Sequence, residues 1–163
     1  MTLRPAVDAD FAQIAKVVAE AFAQSRFDEA GIVAGVRAEG AALVDLVAEE
    51  AGEILGHILF SRMRCQPPRL IAGLGPLAVA PERQRQGIGA KLSIAGIEAC
   101  RALGASAIIV LGHPEYYPRF GFSTAAAAKL ISRYSGSPAF MAMALAPGAL
   151  DERIVIDYPA AFG

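Results

Sequence analysis

The stretch Leu77-Ala78-Val79-Ala80-Pro81-Glu82-Arg83-Gln84-Arg85-Gln86-Gly87-Ile88-Gly89-Ala90 decides how this chain is read. It passes from an apolar, strand-like segment through a Gln/Arg/Gly loop into a helix. Ile88, Leu92, Ala95, Ile97 and Ala99 give that helix its apolar residues, and Gly104 is placed to close it. The first turn of a helix carries unpaired N–H groups and about half a positive charge, which suits phosphate. Gly87 and Gly89 remove side chains that would hold a pyrophosphate away from the backbone, and Arg83 and Arg85 add local positive charge.

Upstream, the apolar run from Leu70 to Val79 contains Gly73, Gly75 and Pro76. Proline cannot donate to a ladder, so this strand is expected to be bulged or unpaired on one side near its middle. Residues 43–49 and 54–60 read as two strands joined through Glu50-Ala51-Gly52-Glu53, a hairpin. Residues 2–4 read as a first strand, with Asp8 as N-cap of a helix whose stripe is Phe11, Ile14, Val17, Val18, Ala21 and Phe22. A weaker helix follows over 29–38, interrupted by Gly31 and Gly35, each costing about 1 kcal/mol relative to alanine. This segment is expected to be mobile.

Downstream, Ala107-Ile108-Ile109-Val110-Leu111 has the continuous β-branched character of a strand buried on both faces. A short helix or turn follows over 113–122, closed by Gly121, and residues 140–145 and 154–156 supply late strands. The element order predicts an α+β fold of one domain over 1–163, with a single strand–loop–helix unit at its middle.

Composition narrows the functions. With 163 residues, 15 Lys+Arg against 16 Asp+Glu and a net charge of -1, the chain has no global attraction for nucleic acid or an anionic membrane. Any anionic ligand must be held locally. The residues are 55% hydrophobic, but alanine supplies much of that and the longest apolar run is broken by glycine and proline, so no bilayer-spanning helix is expected. Met1-Thr2-Leu3-Arg4-Pro5 meets the acidic Asp8-Ala9-Asp10 without a signal-like apolar segment, which makes cytoplasm the expected location and leaves Cys65 and Cys100 as reduced thiols. With His57 and His113 the only imidazoles and no Cys-x-x-Cys or His-x-x-x-His spacing, no metal is expected.

Three kinds of phosphate loop can be compared with residues 77–92. A P-loop needs Gly-Lys-Ser/Thr, whereas Gly89 is followed by Ala90-Lys91-Leu92. A Rossmann fingerprint needs a third glycine where Leu92 stands. Gln84-x-x-Gly87-x-Gly89 instead resembles the Gln/Arg-x-x-Gly-x-Gly/Ala signature of the GCN5-related N-acetyltransferase (GNAT) family. Tyr116-Tyr117-Pro118-Arg119-Phe120-Gly121-Phe122 is similar to that family's Tyr-x-x-x-Gly-Phe. The run from Val110 to Phe122 and the tail Tyr158-Pro159-Ala160-Ala161-Phe162 look like a bacterial subgroup of predicted N-acetyltransferases, many of which carry an acidic residue in place of His113.

The resemblance implies a three-layer αβα, acyl-CoA acyltransferase fold: a mixed, mostly antiparallel, splayed sheet of about six to seven strands flanked by helices. It implies acetyl-CoA as cosubstrate and a small-molecule or peptide amine as acceptor, with a homodimer left open. It assigns acetyl-CoA to Leu77, Ala78 and Val79 on the strand and to Gln84, Arg85, Gln86, Gly87, Ile88, Gly89 and Ala90 in the loop and helix start. Tyr117 stands where family members carry the general acid, and Tyr116 reads as the structural member of the pair. The general base is open between His57, Glu49, His113, Glu115 and a water relay. The alternatives are a non-catalytic acyl-CoA sensor of the same fold and a nucleotide phosphotransferase, the latter disfavoured by the missing Lys-Ser/Thr.

Overall fold

The computed structural model describes residues 1–163. In chain order the strands are β1 (Thr2–Pro5), β2 (Ala42–Glu50), β3 (Glu53–Arg62), β4 (Arg64–Gln66), β5 (Ile71–Val79), β6 (Ala107–Leu111), β7 (Leu130–Ile131), β8 (Phe140–Ala144) and β9 (Ile154–Asp157). The helices are α1 (Phe11–Ala21), α2 (Glu29–Ala38) and α3 (Ile88–Ala102). Six strands form one sheet in the order β1-β2-β3-β5-β6-β8, antiparallel except for the β5–β6 pair.

The β2–β3 hairpin turns through Ala51 and Gly52, both at positive φ, the backbone that a two-residue hairpin turn demands. β3 is then buried continuously from Ile54 to Ser61 because both of its faces are covered. On one face α1 and α2 contribute Ile14, Val17, Val18, Val33 and Val36, packed with Val47, Leu59 and Ala78. On the other, Ile88, Leu92, Ile97 and Cys100 of α3 pack on Leu55, Ile58 and Phe60. Helices on both faces of a splayed sheet make the three-layer α+β arrangement that the family resemblance implied.

Two local expectations change. Asp8 does not cap α1: residues 8–10 form a 3-10 turn, and Asp10 stands directly before the helix. The Asp10 carboxylate accepts the Val7 N–H at 2.8 Å and the Arg4 guanidinium at 2.7 and 2.9 Å. These bonds to Arg4 and Val7 hold the carboxyl at about 2. A second sheet, β4-β9-β7, was not foreseen, because strands of two or three residues carry no readable period. It closes Met63, Leu130, Ile154 and Ile156 over the outer face of β5, β6 and β8.

The site depends on the path of β5. It pairs with β6 from Ile71↔Ala107 to Leu74↔Val110 and no further. Beyond that point β6 stays with β8, while Leu77, Ala78 and Val79 stay with β3. The strands part at Gly75-Pro76, where Gly75 takes φ +146 and the β3 register shifts between Ile58 and Phe60. The Ala80 N–H donates to Leu55 at 2.8 Å, which fixes the alternation of the strand end. Ala78 therefore faces β3 with its N–H, and the N–H groups of Leu77 and Val79 turn toward the opening.

α2 is tied to the hairpin by a half-buried ionic group. Arg37 donates to Asp45 at 2.7 and 3.1 Å, His57 Nε2 lies 2.6 Å from Asp45, and the Arg37 guanidinium stacks 3.8 Å above the Phe11 ring. Burial pushes the Asp45 carboxyl up, but the bonds from His57 and Arg37 outweigh it and the net shift is downward. A depressed carboxyl stabilises the fold in full above its unfolded value near 4, and that contribution is lost as pH falls through the lower folded value. Asp45→Asn, which leaves Arg37 without its partner, is expected to cost roughly 3 kcal/mol at pH 7. Urea unfolding at pH 7 and pH 3 checks it: the gap between wild type and variant should narrow at the lower pH.

Candidate active site

Two cavities meet at the parting of β5 and β6. The first, about 540 Å³, lies over the loop between β5 and α3. Leu77, Val79, Gln84, Arg85, Gly87, Ile88, Gly89 and Ala90 line it, together with Arg83, Tyr116, Arg119, Ala21 and Phe22. Gly87 is the residue before α3 and sits at φ +85, which glycine adopts without strain. A methyl group on Gly89 would stand 3.5 Å from the Tyr116 hydroxyl and 3.6 and 3.7 Å from Leu77 and Val79. Glycine there sets the width of the slot.

The Gln84 amide donates to the Val79 carbonyl at 3.0 Å and so fastens the loop to the end of β5. Arg83 is engaged by Glu50 at 2.9 Å and by Gln86 at 3.2 Å, which lowers its value as a free cation for a ligand. Arg119 donates to the Tyr116 carbonyl at 2.8 Å and lies 4.2 Å over the Tyr116 ring, bringing a guanidinium to the cavity that the sequence reading did not place there. Ala78 and Gln86 do not line the cavity. The Ala78 side chain is buried under α1, and Gln86 is exposed and donates to the Glu82 carbonyl.

The second cavity, also about 540 Å³, shares Phe22, Leu77 and Tyr116 with the first. It runs through the parting between Leu74–Leu77 of β5 and Ile109–His113 at the end of β6. Tyr117 lines it and is otherwise packed, at 8% exposure, against Gly112 and edge-on to Phe122 at 5.9 Å. Burial and the neighbouring Tyr116 push the Tyr117 phenol up to about 12. It therefore remains protonated throughout the physiological range and can donate.

The candidate bases separate by position. His113 is exposed and lines the second cavity. His57 is enclosed beneath the helices against Asp45, Glu49 is held by Arg4 at 2.6 Å, and neither they nor Glu115 line either cavity. No cluster of three or more His, Cys, Asp and Glu side chains is placed to hold a metal ion, and no helix is long and apolar enough to cross a membrane. Sequence reasoning set Tyr116 in the scaffold. Its hydroxyl lies beside Gly89, 27 positions away, and no local pattern signals that approach.

Known proteins share this fold. The model of the Acetyltransferase (GNAT) family matches residues 11–122. The uncharacterized N-acetyltransferase YjhQ of Escherichia coli K12 is 39% identical over 125 residues, covering 74% of this chain and 68% of that protein. Uncharacterized N-acetyltransferase YhbS of the same organism is 35% identical over 126 residues, 76% of this chain and 75% of that one. Among solved structures, a GNAT family acetyltransferase from Brucella melitensis in complex with acetyl-CoA aligns with a TM-score of 0.83 at 34% identity, covering 99% and 97% of the two chains. E. coli YhbS in complex with CoA aligns at 0.89 with 29% identity, covering 99% and 91%.

The slot gives a direct test. Gly89→Val fills the space between Tyr116, Leu77 and Val79, and coenzyme A affinity measured calorimetrically is expected to fall at least tenfold while the melting temperature stays within a few degrees. Undiminished affinity would separate the slot from coenzyme A binding.

Proposed function

This chain belongs to the GNAT acetyltransferase family, and from that premise we propose that it transfers the acetyl group of acetyl-coenzyme A to a primary amine by direct attack in a ternary complex. The observation that carries this reading is the continuous slot between β5 and β6, with backbone N–H groups on one wall and a protonated, buried phenol on another. Acetyl-coenzyme A, when bound, supplies an activated thioester. The N-terminus of α3, Arg85 and Arg119 hold its pyrophosphate, and Gln84 keeps the loop in register with the strand. Gly87 and Gly89 let the phosphates reach the backbone. Ile88 and Ala90 complete the wall.

The Leu77 and Val79 N–H groups pair with the pantetheine arm and the thioester carbonyl. A fixed N–H aimed at an oxygen that gains negative charge is worth about 3 kcal/mol at the transition state. Ala78 contributes through its backbone, by holding the two flanking N–H groups outward, and Gln86 by bracing Arg83.

Two protons must be managed. A lysine-like amine is neutral only about once in 2,500 molecules at pH 7, so it is captured neutral or deprotonated in the site. His113 is the imidazole that faces the cavity. As nitrogen bonds the carbonyl carbon and the carbon–sulfur bond breaks, the nitrogen gives up its extra proton to His113 or to a water relay, and Tyr117 donates a hydrogen bond to the leaving sulfur. With the phenol near 12 and a thiol near 8.5, complete proton transfer to the thiolate is uphill by about 5 kcal/mol. Tyr117 thus stabilises developing charge, and bulk water protonates the released thiolate.

Tyr117→Phe is expected to lower kcat about 10²-fold with coenzyme A affinity unchanged. Stopped assays of thiol release together with calorimetry check this, and an unchanged kcat would remove Tyr117 from the mechanism. The high phenol value also predicts that kcat/KM rises with pH as the amine deprotonates and shows no alkaline decline attributable to Tyr117 below about pH 10. Stabilisation by acetyl-coenzyme A without thiol release for any amine would leave a non-catalytic acyl-CoA-binding module.

A further inference from the structure

Two residues of α2 are poor choices for a helix judged by local rules. Gly35 stands inside it, where alanine would favour the helix more, and Glu39 closes its C-terminal end, where the helix dipole disfavours an anion. Both meet the same partner. The turn Ala160–Phe162 lies against α2, and its Ala160 and Ala161 N–H groups donate to the two Glu39 carboxylate oxygens at 3.2 and 2.9 Å. A methyl group on Gly35 would stand 2.7 Å from the Ala161 methyl, closer than two carbon atoms pack. The missing side chain is what lets the turn reach the helix.

This seat joins two parts of the core. Tyr158 packs with the cluster under the second sheet, and Ala161 and Phe162 pack with the cluster of α1 and α2. Arg64 donates to the Tyr158 carbonyl at 2.6 Å, which ties the start of the segment to β4. The Tyr158 and Phe162 rings meet edge to face at 5.4 Å, and both line the second cavity. Arg133 lies 5.2 Å over the Tyr158 ring and the Tyr158 hydroxyl is buried without a hydrogen-bond partner, so this wall is held by its backbone and by ring packing. Glu29 and Ile32 of α2 line another part of the same cavity. No residue of α2 or of the turn lines the first cavity. The seat therefore shapes the second cavity, the space left to the acceptor once the coenzyme fills the slot.

We infer that Gly35 and Glu39 are positioning residues for the acceptor: they seat the turn Ala160–Phe162 on α2 and so fix the Tyr158–Phe162 wall of the second cavity relative to the wall from α2; this rests on the acetyl-transfer reading above. Neither residue lines either cavity, and each acts through the turn. Gly35 acts by leaving room for the Ala161 methyl. Glu39 acts by offering an acceptor oxygen to each of two N–H groups, which a glutamine cannot do because one of its two terminal atoms is itself a donor.

The test pairs a substitution with its compensation in the full chain. Gly35→Ala favours the helix by propensity but pushes against Ala161, whereas adding Ala161→Gly leaves the new methyl 3.7 Å from the Cα of residue 161, an ordinary contact. Amide exchange followed by NMR, with coenzyme A bound, is expected to be about tenfold faster at Ala160 and Ala161 in Gly35→Ala, about threefold faster in Glu39→Gln, and restored in the double variant. Kinetics use saturating acetyl-coenzyme A and whichever of 2-phenylethylamine, spermidine, tobramycin and an alanyl tripeptide releases thiol fastest. Gly35→Ala should raise the amine KM about fivefold with kcat and coenzyme A affinity within about twofold of wild type, and the double variant should return KM to the wild-type value. A KM or an exchange rate that Gly35→Ala leaves unchanged, or a KM that Ala161→Gly does not restore, would overturn the positioning role while acetyl transfer stands. Coenzyme A binding without thiol release for any of the four amines would overturn acetyl transfer and the kinetic role with it, and the exchange pattern would still uphold or overturn the seat.

Discussion

A parallel strand pair that is hydrogen-bonded for only four residues governs this molecule. Buried backbone N–H and C=O groups need partners, and a sheet normally provides them along its whole length. Here Gly75-Pro76 breaks β5 in the middle of a six-stranded sheet, and β6 leaves with β8. If the ladder continued past Leu74 and Val110, the N–H groups of Leu77 and Val79 would be occupied and both cavities would lose a wall. The break can persist because each separated strand keeps its other neighbour, β3 for β5 and β8 for β6. The core on either side remains closed by α1, α2 and α3 and by the second sheet.

The charge distribution follows the same division. Three guanidinium groups around the hairpin are already engaged: Arg4 with Asp10 and Glu49, Arg37 with Asp45, and Arg83 with Glu50. These pairs fix β1 to the turn before α1, α2 to the hairpin, and the loop to the hairpin tip. Arg119 instead stacks on Tyr116 and leaves its charge at the edge of the phosphate-loop cavity. A chain of almost zero net charge thereby concentrates positive potential at one helix N-terminus, where short-range geometry rather than a global field selects an anion.

Much of this was legible in the residues. The α2 range, the hairpin, the break at Gly75-Pro76 and the glycine loop all rest on local rules: φ at glycine, the missing proline donor, and periodicity. What local rules missed has a common origin in contacts between distant segments. Asp8 is a residue type suited to an N-cap, but the structure starts α1 after Asp10, whose carboxylate is held by Arg4 on β1 and the Val7 N–H. β4 and β7 exist only because β9 lies between them. Tyr116 and Tyr117 are adjacent and chemically identical, and only the packing of Gly112, Phe122 and Gly89 sends one ring into the core and the other across the slot.

The sequence by itself determined the α+β class, the position of the strand break and the kind of loop that follows it, because each depends on the conformational limits of a few neighbouring residues. The tertiary structure decided which strand loses its partner, which arginines are left to the phosphate-loop cavity, and which aromatic rings from either end of the chain line one cavity. Those outcomes depend on the competition for hydrogen-bond partners and apolar surface among segments up to 140 positions apart, such as Phe22 and Phe162. No local pattern encodes which of those competitors wins.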